Sequence, residues 1–467
     1  MSSKDALTPG APLSTKSVIT RVIEVAAGRF APGHLGEPTR IIPFEMVDAV
    51  LAETGKFEQR VRDLPARVVV YLLLAAGLFE GLGWRKVWGR LVAGLAGLEV
   101  ADPSGAALWQ ARLRLGVAPL RALFELLRGA SGAPSTRGVF WRRLLVIALD
   151  GSTLTCADGT KNLRRFLKGA GNHGGTGYPQ VRLVALVACG TRTLVDAMFG
   201  PTSAGETAYA ATLAARALHT GMIVLADRGF AGTPTIKAIA TTGADLLIRV
   251  TGNRQLPVLR TLPDGSWISR IGPVELRVIR CEITVTTTDG TRRTEHYLLV
   301  TTVLDPSVPA AELIRLYHDR WEVETAFLEL KSTILGGAVL RSRTPDGVEQ
   351  EIYALLVTYQ AIRIAIANAA LSDPALDPDR GSFTTALQTA RDQVIKAAGV
   401  IDGETVDLVG VIGCAVLADL LPDRRLRISP RVVKRAISNY AASTAKGRLH
   451  GPSHKATLSV DILAPTP

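Results

Sequence analysis

Two aspartates stand directly after unbroken apolar runs: Leu144-Leu-Val-Ile-Ala-Leu leads into Asp150, and Met222-Ile-Val-Leu-Ala leads into Asp227. Runs of this kind read as central strands buried on both faces. A carboxylate at the end of a buried strand needs a partner, because an unpaired buried charge is strongly unfavourable. Two such carboxylates on neighbouring strands repel each other unless a cation lies between them. Ligands that are all oxygen select hard ions, Mg²⁺ with Mn²⁺ as its substitute. Either aspartate alone also suits a turn-capping role, in Asp150-Gly-Ser and in Asp227-Arg-Gly. Together, in this strand order, they favour the metal.

A third carboxylate sits in a helical stretch. Tyr317, Arg320, Glu324 and Lys331 follow one another at intervals of three, four and seven residues. At about 100° per residue they share one stripe about 60° wide. One helix face thus carries a phenol, two cations and a carboxylate. A solvated face laced with ion pairs is the plainer reading. A carboxylate flanked by cations also suits a metal ligand beside phosphates.

The elements needed to position these groups follow from the pattern. After Asp150 come Val181-Arg-Leu-Val-Ala-Leu-Val-Ala and Thr193-Leu-Val-Asp-Ala-Met-Phe, two strands of a hairpin. A helix over about 206–219 opens at Ser203-x-x-Glu206, which has the form of a capping box, although Glu206 also falls close enough in order to approach the aspartates. The Asp227 strand, a helix over about 233–242 and a strand at Asp245-Leu-Leu-Ile-Arg-Val complete the set. Three strands, helix, strand, helix, strand is the order of a ribonuclease-H-like α/β core. Residues 251–305 turn to β-formers, including a hairpin around Asp289-Gly, and read as a β-strand insertion before the Glu324 helix. The expected division is a loose tail at 1–15, a helical N-terminal domain at 16–138, and the first part of the core at 139–250. The insertion at 251–305, the rest of the core at 306–371 and a helical, basic C-terminal region at 372–467 follow. Arg112 and Arg114 near a helix end put basic residues on one side of the N-terminal domain, candidate contacts for a polyanion.

The chain has 467 residues, 47% of them hydrophobic, enough for several domains and a large core. Its 54 Lys+Arg against 42 Asp+Glu leave a formal charge of +12, which suits a polyanion partner. Four scattered cysteines with no C-x-x-C pair argue against a zinc knuckle or a disulfide framework, and a reduced cytoplasm fits them. The polar N-terminus lacks the apolar core of a signal peptide. The run 68–79 is too short to span a bilayer and 354–371 is interrupted by Arg363, so both read as buried helices, with no membrane partner.

The run Tyr317-His-Asp-Arg320-Trp-Glu-Val-Glu324-Thr-Ala-Phe-Leu-Glu-Leu-Lys331 fits Y-x2-R-x3-E-x6-K without a gap. That pattern is the signature of the DDE transposases of the insertion-sequence-four family, which this chain resembles. Ile147-Ala-Leu-Asp-Gly-Ser, Leu225-Ala-Asp-Arg-Gly-Phe, Tyr178-Pro-Gln-Val-Arg-Leu-Val, Leu340-Arg-Ser-Arg-Thr-Pro-Asp-Gly and the N-terminal Ile42-Pro-Phe-Glu-Met-Val are similar to that family too. The resemblance spans about residues 16–370.

It implies a triad of Asp150, Asp227 and Glu324 holding two Mg²⁺ ions, with Tyr317, Arg320 and Lys331 on phosphates of the strand that is not transferred. It also implies cut-and-paste transposition through a hairpin on the transposon end, for which a base must flip out. Trp321 is then a candidate to stack on that base, and Trp267 in the insertion a candidate wedge. The implied partners are terminal inverted-repeat DNA, target DNA and a second copy of the chain in a synaptic dimer. Residues 372–467 are the candidate dimer surface, although the basic runs around Arg424 and Arg431–Arg435 also suit DNA. A catalytically silent protein that binds transposon ends and regulates is the alternative. A glycosidase is disfavoured by the cations beside the carboxylates.

Overall fold

The apolar runs form the middle of one mixed sheet. A computed structural model of the chain describes residues 22–58, 60–95, 97–169, 177–287, 292–373, 376–396, 409–422 and 456–463. The tail 1–15, the turn at Asp289 and the basic runs around Arg424 and Arg431–Arg435 lie outside the described residues.

The chain opens with a two-stranded ribbon, β1 (Val22–Glu24) and β2 (Phe30–Pro32), and five helices: α1 (Phe44–Glu53), α2 (Ala66–Leu78), α3 (Trp84–Val92), α4 (Gly105–Leu115) and α5 (Ala118–Leu127). Pro43 directly precedes α1, where its missing N–H costs nothing. The Ser104 hydroxyl caps α4 by accepting from the Ala107 N–H at 3.1 Å. Helix α2 is apolar all round, and all of it but Arg67 is buried.

Next come β3 (Phe140–Trp141), β4 (Leu144–Thr155), α6 (Thr160–Phe166), β5 (Gln180–Ala188), β6 (Leu194–Pro201), α7 (Glu206–Ala217), β7 (Met222–Ala226), α8 (Thr233–Thr241) and β8 (Asp245–Val250). Strands β9 (Arg260–Thr261), β10 (Trp267–Ile271), β11 (Val274–Thr287) and β12 (Arg292–Thr301) fill the insertion. The sheet runs β6-β5-β4-β7-β8-β12-β11-β10-β9. Strands β4, β7 and β8 are mutually parallel, and on the outer side β5 runs antiparallel to both β4 and β6, a ribonuclease-H-like arrangement.

Beyond the insertion lie α9 (Ala310–Tyr317), a 3₁₀ turn (His318–Arg320), α10 (Trp321–Leu328) and a π-helical turn (Glu329–Ile334). Helices α11 (Pro345–Leu371), α12 (Phe383–Lys396) and α13 (Gly410–Ala418) follow. Helix α11 is long and apolar enough to cross a membrane, yet 83% of its apolar window is buried inside the fold. It packs against α2 and α5, so the N-terminal helices and one face of the sheet share a single hydrophobic core.

Three local expectations are corrected. Strand β4 does not stop at Asp150 but continues to Thr155, because β5 supplies ladder partners from Asp150↔Ala185 to Thr155↔Gln180 after β7 has ended. The start of α7 is not a capping box: its N-cap is Gly205, with no side-chain cap. The polar C-terminal end contributes strand β13 (Ala456–Ile462), which pairs with β11. Its alternation of Leu458, Val460 and Ile462 with Thr457, Ser459 and Asp461 is a period-two pattern that a reading for helices passes over.

Candidate active site

Parallel pairing of β4 with β7 ends at Leu149↔Ala226, so the next residues, Asp150 and Asp227, occupy equivalent positions on adjacent strands. Strand parity fixes their direction. Val146, Ala148, Ile223 and Leu225 belong to the core beneath α9–α11, whereas Ile147, Leu149, Val224 and Ala226 belong to the core beneath α7 and α8. Asp150, Ser152 and Asp227 thus share the parity of the face covered by the helix that carries Glu324.

Both aspartates are half-buried. Asp150 Oδ1 accepts from the Gly151 N–H at 2.8 Å, and Asp227 Oδ1 accepts from the Gly229 N–H at 2.8 Å, capping the turn Arg228–Phe230. Burial pushes the Asp150 carboxyl up to about 7; the Gly151 N–H and Arg320 oppose this, while Asp227 and Glu324 add to it. Mutual repulsion among three carboxylates is the condition that a divalent cation relieves, and the donor set is the hard oxygen set of Mg²⁺ or Mn²⁺. As they stand, no group of three or more acidic, His or Cys side chains among the described residues is gathered into a metal cage. Glu324 instead holds Arg320, Oε1 to Nη1 at 3.0 Å.

The helix stripe is less regular than an ideal wheel, since it crosses the tighter 3₁₀ turn and the wider π turn. Tyr317 is buried, its hydroxyl donating to the Ala226 carbonyl at 3.3 Å, one residue before Asp227. Arg320 lies over the rings of Tyr317 and Trp321, at 5.9 and 4.6 Å from their centroids. Trp321 is half-buried. Lys331 Nζ donates to Ser152 Oγ at 3.1 Å, tying the π turn to the aspartate strand.

The remaining candidates stand elsewhere. Trp267 is 2% exposed, packed in the core under α8 with Arg280 over its ring, so it does not reach a DNA base from this position, and the wedge reading is corrected. Arg112 is also interior: burial lowers its guanidinium to about 10, it stacks on Trp84 at 3.6 Å and it donates to Ser342 Oγ at 2.7 Å. That cation fastens α4 to the core and is not offered to DNA. Arg114 is partly exposed but bonded to the Leu64 carbonyl at 3.1 Å and paired with Glu58 at 3.5 Å. Glu206 pairs with Arg182, and its carboxylate fills the space where a side chain at Gly151 would lie, on the opposite face of the sheet from Asp150.

Comparison with known proteins adds to this geometry. Residues 32–125 match the insertion element 4 transposase N-terminal family, and residues 141–360 match the transposase DDE domain. The chain belongs to the IS4 family of DDE transposases. It is 26% identical over 418 residues to the transposase InsG for insertion sequence element IS4 of Escherichia coli (strain K12), covering 86% of this chain and 93% of that one. It is 29% identical over 192 residues to the putative transposase InsZ of the same organism, covering 40% of this chain and 62% of that one. Among solved structures, a piggyBac transposase synaptic complex with hairpin DNA aligns with 83% of this chain and 84% of its own, at 9% identity and a TM-score of 0.42, a likeness too distant to transfer any property.

This transposase also contains functional neighbours that the sequence reading passed over. Glu322 and Glu329 sit on the opposite side of the Glu324 helix and are buried. Arg192 Nε donates to Glu322 at 2.6 Å and Nη1 to Glu329 at 3.3 Å, and Arg363 also binds Glu329. The signal was present: two acids seven residues apart, about half a turn away from the Tyr-Arg-Glu-Lys stripe on the same wheel. Ser152, the partner of Lys331, carried no such signal.

Proposed function

We propose that this transposase moves its element by cut-and-paste transposition, with Asp150, Asp227 and Glu324 as the ligands of two Mg²⁺ ions, Mn²⁺ substituting. The register that sets Asp150 beside Asp227, facing the Glu324 helix, carries this reading. When bound, such an ion pair activates water or a 3′-hydroxyl and neutralises charge on the phosphoryl group. The residues of the chain do the rest. Tyr317, bonded to the Ala226 carbonyl, seats the helix against the strand that ends at Asp227. Arg320 holds the Glu324 carboxylate and brings a cation to the phosphate side, and Lys331 is steadied by Ser152. Cleavage proceeds through a hairpin on the transposon end, with Trp321 as the stacking surface for the flipped base.

The substrates are terminal inverted-repeat DNA and target DNA, residues 16–138 hold the ends, and two copies pair in the synaptic complex with residues 372–467 between them. The test is strand cleavage of a terminal-repeat duplex in Mg²⁺, wild type against Glu324→Gln. The substitution removes a ligand charge and lowers cleavage at least about 100-fold, while end binding persists. Equal cleavage by the variant overturns the triad. Binding by the wild type with no cleavage under any divalent ion assigns the chain instead to the silent, end-binding class.

A further inference from the structure

Next to Asp227, on the insertion side, lies a cavity of about 640 Å³. Arg228, Arg249 and Arg280 line it together with Asn253, His296 and Tyr297, and among the described residues no carboxylate lines it. Its polarity is built from several elements: Arg228 follows Asp227, Arg249 lies on β8, Arg280 on β11 and His296 on β12. Arg249 is stacked on the Tyr297 ring at 4.0 Å and donates to the His296 carbonyl at 3.4 Å, so its fork is held in place. Two lining residues touch carboxylates: Glu295 accepts from the Tyr297 hydroxyl at 2.9 Å, and Glu282 is 3.8 Å from His296 Nδ1. The cavity communicates with the candidate site through aromatic rings. Tyr297 meets Tyr317 edge-on at 6.2 Å, and Arg249 and Arg320 act electrostatically on both of those hydroxyls.

A concave site with three arginines and no acid among its described lining residues selects a polyanion, and Arg forks match phosphate oxygens. We infer that this cavity binds the phosphodiester backbone of the DNA strand where it passes the Asp227 side of the active site, with Arg249 and Arg280 on its phosphates. The inference rests on the transposase reading above and places backbone contacts on core strand β8 and insertion strand β11, outside the Tyr-Arg-Glu-Lys stripe.

The measurement is the salt dependence of binding to a random-sequence DNA duplex, in EDTA so that no cleavage intervenes, for the full chain and for Arg249→Gln/Arg280→Gln. On a duplex each phosphate contact contributes about 0.9 to the slope of log K against log salt. The double variant is expected to lower the slope by about 1.8, and Arg249→Lys/Arg280→Lys to restore most of it. Rescue by lysine distinguishes a lost charge contact from lost packing, since both variants alter the packing against Tyr297. An unchanged slope in the Gln variant, or weakened binding that lysine does not rescue, overturns the inference and leaves the transposase reading intact. A wild-type chain that does not bind DNA overturns both.

Discussion

Arg192 is the residue whose removal tells most about how the Glu324 helix is held. It lies in the turn between β5 and β6 with φ of 56°, and its side chain is 7% exposed. Its guanidinium meets Glu322, Glu329 and Asp379, and its carbonyl is 2.9 Å from the Tyr359 hydroxyl. Arg192→Met keeps the stem and the backbone but deletes the charge. Glu329 retains Arg363, with Nε at 3.0 Å from Oε2, so the loss falls on Glu322 and Asp379, each of which loses this buried cation. Removing one member of a buried ion pair costs about 3–5 kcal/mol, a large share of the stability of a typical domain. Urea unfolding at constant pH reads the loss as a fall in midpoint at unchanged slope. A cycle with Glu322→Gln sharpens the test: the double variant should be less destabilised than the sum of the singles by about 1–3 kcal/mol. Destabilisation below about 1 kcal/mol, or strict additivity, refutes the view that this network anchors the helix.

Two further outcomes are expected. Burial lifts the Glu80 carboxyl to about 7, against the pull of Arg341 at 2.9 Å. Because the folded value lies above the unfolded one, the contribution of Glu80 to stability is full below the unfolded pKa and is lost as pH rises through about 7. Glu80→Gln should therefore flatten the decline in stability between about pH 4.3 and 7, by up to about 3 kcal/mol; a parallel pH profile in the variant sinks this account. A Cβ at Gly190 would lie 2.5 Å from the Val139 backbone nitrogen and 2.6 Å from the Gly138 carbonyl carbon. Gly190→Ala should cost about 1–3 kcal/mol, whereas Gly89→Ala, in open space on an exposed helix, should gain about 0.5–1 kcal/mol. Equal melting temperatures for the two variants contradict the packing argument.

What was legible in the sequence follows the range of the interactions involved. The apolar runs before Asp150 and Asp227 declare central strands because burial on both faces leaves no polar position to confuse the reading. The Tyr-Arg-Glu-Lys stripe is legible because a helix repeats within a few residues, even across the 3₁₀ and π turns. Arg112 misled for the opposite reason. A basic residue in the last turn of a helix ordinarily faces solvent, and only Ser342, 230 positions away, and the Trp84 ring make it an interior cation. Trp267 misled likewise, since a lone aromatic in a β segment gives no sign of which face the sheet will cover. Once β10 packs against α8's side of the sheet, its position under Arg280 is set by strand parity. The same logic explains why β13 was missed: seven residues of alternating Thr, Leu, Ser and Val fold as a strand only because β11 offers an open edge beyond its pairing with β10. Long-range pairing thus shapes the cavity beside Asp227, where β8, β11 and β12 bring Arg249, Arg280 and His296 together from segments that show no common motif. A charge cluster assembled in this way is visible only in three dimensions, and so the arginines of the cavity beside Asp227 emerge from the fold while the acids of the candidate triad emerge from the sequence.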